Sequence, residues 1–293
     1  MTKTAWIFPG QGSQAIGMGA DLFDLSEARA KFDRAEAILG WSVPEICQSE
    51  DDEVSRTLYT QPCLYVVEAI LADLMRDKGA QPDAVAGHSL GEYVALYAAG
   101  AFSFEVGLRL VQRRAELMDN AAGGEMAALM KFDRAQLEDA IAQTENVVLA
   151  NDNSPAQAVI SGSPEAVKTI LDNVKARRAV KLNVSGAFHS PLMAPAAAEF
   201  EQVLDSVSFD DASVPVLSNV DPAPATDANT LKQRLVDQMT GSVRWREIAL
   251  RLPQEGIDTV IEIGPGNVLT GLIKRTCSDL TLNNIASFAD LSQ

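Results

Sequence analysis

Ala84-Val85-Ala86-Gly87-His88-Ser89-Leu90-Gly91-Glu92-Tyr93-Val94-Ala95 is the stretch whose reading decides the fold. Ala84–Ala86 is short, apolar and closed by a glycine, as a buried parallel strand would be. Glu92–Ala99 reads as a helix. Between them stands G-x-S-x-G at 87–91, the strand–turn–helix setting of a nucleophile elbow. The glycines leave room for a sharp turn that strains the serine, exposes its hydroxyl and sets it at a helix N-terminus. There the Leu90 backbone N–H can face a developing oxyanion. An ordinary tight loop with an accidental serine has the same spelling, so the rest of the chain has to decide.

Outward from the elbow, Ala5–Phe8 and Thr259–Ile263 repeat the pattern of a short apolar strand, a glycine-bearing turn and a helical stretch. This alternation points to an α/β protein with a parallel sheet. The middle differs. Met126–Met130 reads as a strand and Arg134–Gln143 as a helix. Val147–Ala150 and Ala158–Ser161 read as strands around a turn at Asn151–Pro155. Pro164–Arg177 reads as a helix with proline in its first turn, and Ala179–Val184 as a last strand. The order β-α-β-β-α-β is that of a ferredoxin-like unit. We therefore expect an α/β-hydrolase-like body (1–123 and 190–293) with an inserted ferredoxin-like subdomain at 124–189.

Composition narrows the function classes. Hydrophobic residues make up 47% of the 293, enough for a large core. Lys and Arg number 24 against 40 Asp and Glu, a formal charge of −16. Such a chain should repel nucleic acid and anionic membrane. The longest apolar run, around Val94–Phe102, is about half the roughly 20 residues a span requires. Cys47, Cys63 and Cys277 have no motif spacing and read as reduced thiols. Met1-Thr2-Lys3 runs directly into the first strand, which leaves no signal peptide. The expected location is the cytoplasm.

A serine nucleophile needs a base, usually histidine. The chain has two. His88 adjoins Ser89, and neighbouring side chains on a turn point apart. His189 remains, in Gly186-Ala187-Phe188-His189-Ser190, where the subdomain rejoins the body and a cleft is natural. Arg114 is anomalous in another way. The helix Glu105–Met118 has an apolar stripe through Val106, Leu110, Leu117 and Met118, and Arg114 falls within it. An inward arginine must be paired or must serve a ligand. A carboxylate held by two hydrogen bonds and a structural salt bridge both satisfy that. Phe8-Pro9-Gly10-Gln11-Gly12-Ser13-Gln14 with Ala15 matches a loose dinucleotide pattern. Asp24–Leu39 after it reads as helical, so no second strand brings an acid to a ribose. A loop whose backbone N–H groups approach a substrate oxygen fits better, beside the plainer option of a structural turn. Gly264-Pro265-Gly266 is assigned to structure.

Taken together these segments resemble the malonyl-CoA:acyl carrier protein transacylase family over nearly the whole chain. They are F-P-G-Q-G-S-Q at 8–14, T-Q-P at 60–62, G-H-S-L-G-E at 87–92, R-A-E-L-M at 114–118, A-N-D-N-S-P-x-Q-x-V-I-S-G at 150–162, H-S-P-L-M at 189–193 and E-I-G-P-G-N-V-L-T-G-L at 262–272. All seven occur in the family's order. The resemblance implies an acyltransferase that moves a malonyl group from malonyl-CoA to acyl carrier protein for fatty acid biosynthesis. No cofactor or metal is implied. Ser89 matches the acylated serine and His189 its base. Gln11 and Leu90 match the backbone donors of the oxyanion hole, and Arg114 the residue that binds the malonyl carboxylate. The family orients its histidine with a backbone carbonyl, here matched by Gln238 from its spacing to Trp245. Gly186-Ala187-Phe188-His189 is closer to the malonyl-selective signature of polyketide acyltransferases than to some bacterial fatty-acid enzymes. Phe188 is thus the expected guard against branched acyl groups, and the pathway is left open.

Carrier proteins of such pathways are acidic, so docking on a chain of charge −16 needs local positive charge. Two clusters qualify: Lys175-Ala176-Arg177-Arg178 with Lys181, and Lys274-Arg275. Both could equally be solvated helix ends, where cations are favoured.

Overall fold

The computed structural model describes residues 2–292. Among these residues nine strands form two sheets: β1 (Lys3–Phe8), β2 (Ala84–Gly87), β3 (Glu125–Phe132), β4 (Val147–Ser154), β5 (Gln157–Gly162), β6 (Ala176–Lys181), β7 (Val216–Leu217), β8 (Ile257–Ile263) and β9 (Thr281–Ile285). The larger sheet has the order β7-β2-β1-β8-β9, and every pairing in it is parallel. Its central strands are apolar on both faces because helices cover both. One cover is the helix Thr57–Asp77, whose residues from Cys63 to Ala72 are all buried. It is apolar nearly all round, as a helix inside a core must be.

The second sheet, β4-β5-β3-β6, is antiparallel. Its strands enclose the helices Arg134–Ala142 and Pro164–Asn173 in chain order, the ferredoxin-like arrangement read from periodicity. Strand alternation gives this sheet two faces. Ala127, Leu129, Ala158 and Ile160 pack on Leu137, Val167 and Ile170 of the two helices. Ala128, Met130, Val159 and Val180 face a cleft.

Three local expectations need correction. The helix at Pro164 ends at Asn173, not Arg177, because Val174 turns extended (φ −100°, ψ 125°). The last strand is accordingly Ala176–Lys181, three residues earlier than Ala179–Val184. The turn between β4 and β5 is Pro155-Ala156, and Asn151–Ser154 belongs to the strand. Its polar residues hide the pattern because they hydrogen-bond outside the sheet, to His88, Arg134 and Arg246.

Backbone bonds tie the antiparallel sheet to the loop that leads into the helix Trp245–Gln254. Asn151 of β4 bridges Val243 in parallel. The Asp152 N–H donates to the Val243 carbonyl at 2.9 Å, and the Val243 N–H to the Ala150 carbonyl at 2.8 Å.

Candidate active site

The elbow is built by close approach. A Cβ on Gly87 would lie 1.9 Å from the Gly91 carbonyl carbon, and one on Gly91 would lie 2.0 Å from the Phe8 oxygen. Only glycine fits at either place. Ser89 between them has φ +53°, a left-handed conformation that costs a non-glycine residue about 1–2 kcal/mol. The loop after β1 closes over the elbow: a Cβ on Gly10 would meet the His88 carbonyl oxygen at 2.3 Å.

Ser89 Oγ lies 2.7 Å from His189 Nε2. His189 Nδ1 faces two carbonyl oxygens, Gln238 at 3.0 Å and Gly241 at 3.2 Å. Carbonyls only accept, so Nδ1 carries the proton and Nε2 offers its lone pair to the serine. His189 is itself left-handed, with φ +56°. Burial, then the Arg114 charge, lowers its pKa to about 3, so the imidazole is neutral at working pH.

Arg114 is 1% exposed. It donates to Gln61 Oε1 at 2.6 Å, Ser89 Oγ at 3.0 Å and Gln238 Oε1 at 3.2 Å, and its guanidinium lies over the Tyr93 ring at 5.4 Å. Its Nε has no partner among the described residues. Every direct acceptor is neutral, and burial lowers its pKa. This is a buried cation beside the candidate nucleophile with no anion in direct contact among the described residues; Glu92 acts on it only at a distance.

A cleft of about 590 Å³ opens next to the elbow. Its walls are the 9–14 loop, His88, the apolar face of the antiparallel sheet, and Val268, Leu269 and Leu272 of the helix Val268–Thr276. Ser89, His189, the Arg114 guanidinium and the cleft form a constellation capable of acyl transfer. A family model for the acyl transferase domain matches residues 5–290. The chain belongs to the acyl transferase domain family.

This acyltransferase is 61% identical over 290 residues to a malonyl CoA-acyl carrier protein transacylase of Synechocystis, covering 99% of each chain. The crystal structure of a Synechocystis malonyl-CoA:ACP transacylase superposes with a TM-score of 0.98 over 99% of both chains, at 60% identity. A polyketide-biosynthesis malonyl CoA-acyl carrier protein transacylase of Bacillus subtilis is 44% identical, covering 94% of this chain and 97% of its own. A type II polyketide acyl-carrier protein in complex with its malonyl-transacylase has been solved; that transacylase matches with a TM-score of 0.94 and 35% identity, over 99% of this chain and 98% of its own.

Of the residues singled out in sequence, Ser89, His189, Arg114 and Gln238 converge on one point. The Gln11 and Leu90 backbone N–H groups have no hydrogen-bond partner among the described residues, and the Gln11 side chain is tied to Thr57 at 3.0 Å. Phe188 is buried in the main core next to His189 and does not line the open cleft. Arg178 lines the cleft. Arg177 alternates to the other face of β6 and does not. Both stand on a strand, so the reading of that cluster as a helix end is wrong. Lys274 and Arg275 do end a helix, on an adjoining depression that shares Gln157, Val268 and Leu272 with the cleft.

Sequence reading missed the surrounding shell. Gln61 lay within T-Q-P but received no role. Glu92 accepts from Gln238 Nε2 at 2.7 Å and from the Asn219 N–H at 3.1 Å; burial raises its pKa. Asn219 and Gly241 carried no signal, since neither belongs to a motif and each is brought in by tertiary pairing.

Proposed function

We propose that the chain transfers a malonyl group from malonyl-CoA to the phosphopantetheine thiol of acyl carrier protein, through a malonyl ester on Ser89. The observation that carries this reading is Arg114: a buried guanidinium, 3.0 Å from Ser89 Oγ, with no anion in direct contact among the described residues. A planar fork in that state suits a substrate carboxylate. The named relatives support the same substrates.

In the first half-reaction Ser89 Oγ attacks the malonyl thioester and passes its proton to His189 Nε2. The Gln11 and Leu90 N–H groups stabilise the tetrahedral oxyanion. CoA leaves as the thiol, taking the proton back. In the second half-reaction the carrier's thiol gives its proton to His189 and attacks the ester carbonyl; the acyl C–Oγ bond breaks, and Ser89 leaves with the proton returned by His189. The reaction so written draws on no metal and no redox cofactor. The malonyl carboxylate also has an electrostatic effect. Paired with Arg114, it offsets the charge that adds to burial in depressing His189, so the bound substrate strengthens the base that acts on it. Phe188 guards the pocket against substituted malonyl groups.

The cleft is the path for the pantetheine arms of the donor, malonyl-CoA, and of the acceptor, the carrier protein. Arg178 on its wall, and Lys274 and Arg275 on the adjoining depression, dock the acidic carrier, with Arg177 contributing charge from the outer face of the strand. On this reading residues 124–189 act as a subdomain that roofs a body made of 1–123 and 190–293. The identity to the Synechocystis transacylase exceeds that to the polyketide relative, which favours fatty acid biosynthesis. No helix among the described residues is long and apolar enough to cross a membrane. With the −16 charge, this favours a cytoplasmic enzyme that avoids nucleic acid and membrane.

Intact-protein mass analysis after exposure to malonyl-CoA tests the proposal. The wild type should gain one malonyl group, mapped to Ser89 and discharged by carrier protein. Ser89→Ala should gain none, and His189→Ala should slow both halves by about 10²–10⁴-fold. Release of free malonate in place of malonyl-carrier would instead mark a hydrolase.

A further inference from the structure

We infer that Asn219 is a positioning residue of the acyl transfer, whose side-chain amide locks the elbow in the left-handed form that presents Ser89. The inference rests on Ser89 being the acylated serine. β7 lies beside β2 in the register Val85 to Val216 and Ala86 to Leu217. Two residues on, that register sets Asn219 against His88. Its Nδ2 donates to the Gly87 carbonyl at 2.6 Å, and its Oδ1 accepts from the Ser89 N–H at 2.7 Å. One amide thus spans the peptide groups on either side of His88.

The far side of Ser89 is held in the same way. Gln238 Nε2 donates to the Ser89 carbonyl at 3.0 Å. Glu92 Oε2 joins the two holders, accepting from the Asn219 N–H and from Gln238 Nε2. Asn219, Gln238 and Glu92 are all fully buried, so water cannot replace the contacts. A serine at φ +53° would otherwise relax towards negative φ and carry its hydroxyl away from His189. Asn219 also decides which donors remain for an oxyanion. It consumes the Ser89 N–H and leaves those of Leu90 and Gln11 unpaired.

Asn219→Asp tests this, because a protonated carboxyl has the shape and bonding of the amide. Protonated, it accepts from the Ser89 N–H and donates to the Gly87 carbonyl. Ionised, it turns a lone pair on that carbonyl and a charge on Glu92. Single-turnover acylation by malonyl-CoA is measured for variant and wild type from about pH 8 to about pH 5. At the alkaline end the variant's rate should fall about 10²-fold, the scale of a small misplacement of reacting groups, with KM little changed. The variant-to-wild-type ratio should climb as pH falls. A flat ratio, or a loss in KM alone, overturns the inference. The wild type gives a second reading that needs no substitution: the Ser89 amide proton should resist exchange with solvent. Rapid exchange, as in an open turn, also overturns it. If the wild type never gains mass at Ser89, it is the acyl-enzyme reading that has failed.

Discussion

Arg114→Ala removes a guanidinium that is 1% exposed and whose direct acceptors are neutral oxygens of Gln61, Ser89 and Gln238. Its desolvation is met when the protein folds, before any substrate arrives. A malonyl carboxylate therefore gains a nearly dry cationic partner, and losing one such partner costs about 2–5 kcal/mol. No anion in direct contact competes for Arg114, which puts the loss in the upper half of that range. At about 1.4 kcal/mol per decade, malonylation should slow by about 300-fold or more. Acetyl-CoA presents no carboxylate and loses nothing of that kind. It also gains two things: Ser89 Oγ is freed from a donor at 3.0 Å, and His189 loses a charge that lowers its basicity. Acetylation should therefore fall by less than about tenfold, or rise. Single-turnover acylation by each acyl-CoA, followed by intact mass without carrier protein, measures both rates on one variant. An equal fall for the two substrates would refute the assignment and leave Arg114 a structural residue.

The free-enzyme kcat/KM should keep its value as pH falls from about 7 to about 5, because His189, with its pKa near 3, stays neutral throughout; an acid limb near the ordinary histidine value of about 6.5 would contradict this. Glu68 is buried without a partner for either oxygen among the described residues, and burial, then Glu262, raises its pKa well above the usual value. The folded state therefore holds a proton that the unfolded chain releases near pH 4.3, so stability falls with rising pH by about 1.4 kcal/mol per unit until the folded pKa is passed. Denaturant titrations should show Glu68→Gln without that slope, and parallel curves from about pH 5 to 7 would exclude it. Reversing Arg178, Lys274 and Arg275 to glutamate should slow transfer to carrier protein in a salt-dependent way while sparing acylation by malonyl-CoA, and Arg177→Glu alone should do much less; equal loss in both half-reactions would assign these residues to CoA or to the fold.

What was legible in the sequence was what sterics and periodicity impose locally. Gly87 and Gly91 announced the elbow because a Cβ at either would strike backbone. Arg114 stood out because it broke an apolar stripe, and the helix Phe104–Asp119 does bury it. The antiparallel sheet was readable from alternation, except where alternation was spent on tertiary bonds. Asn151–Ser154 looked like a turn for that reason. Asn219 could not be found at all. It owes its place to β7, a two-residue strand too short to leave a periodic trace.

The site also accounts for a histidine oriented by carbonyls in place of a carboxylate. Gln238 holds His189 through its main-chain oxygen, while its side-chain Oε1 accepts from Arg114 at 3.2 Å. A carboxylate orienting His189 from that position would lie within reach of the same guanidinium. It would pair with Arg114, satisfy the buried cation and compete with the substrate for it. It would equally raise the imidazole pKa and make a stronger base for any acyl group, charged or neutral. Two neutral carbonyls avoid both effects. They fix the tautomer and leave Arg114 without an anion. Burial, then the Arg114 charge, keeps the resting imidazole a weak base although both carbonyls raise its pKa, and an incoming carboxylate strengthens it by offsetting the Arg114 share. On the proposed mechanism, selectivity for a charged acyl group therefore resides in the base as well as in the pocket.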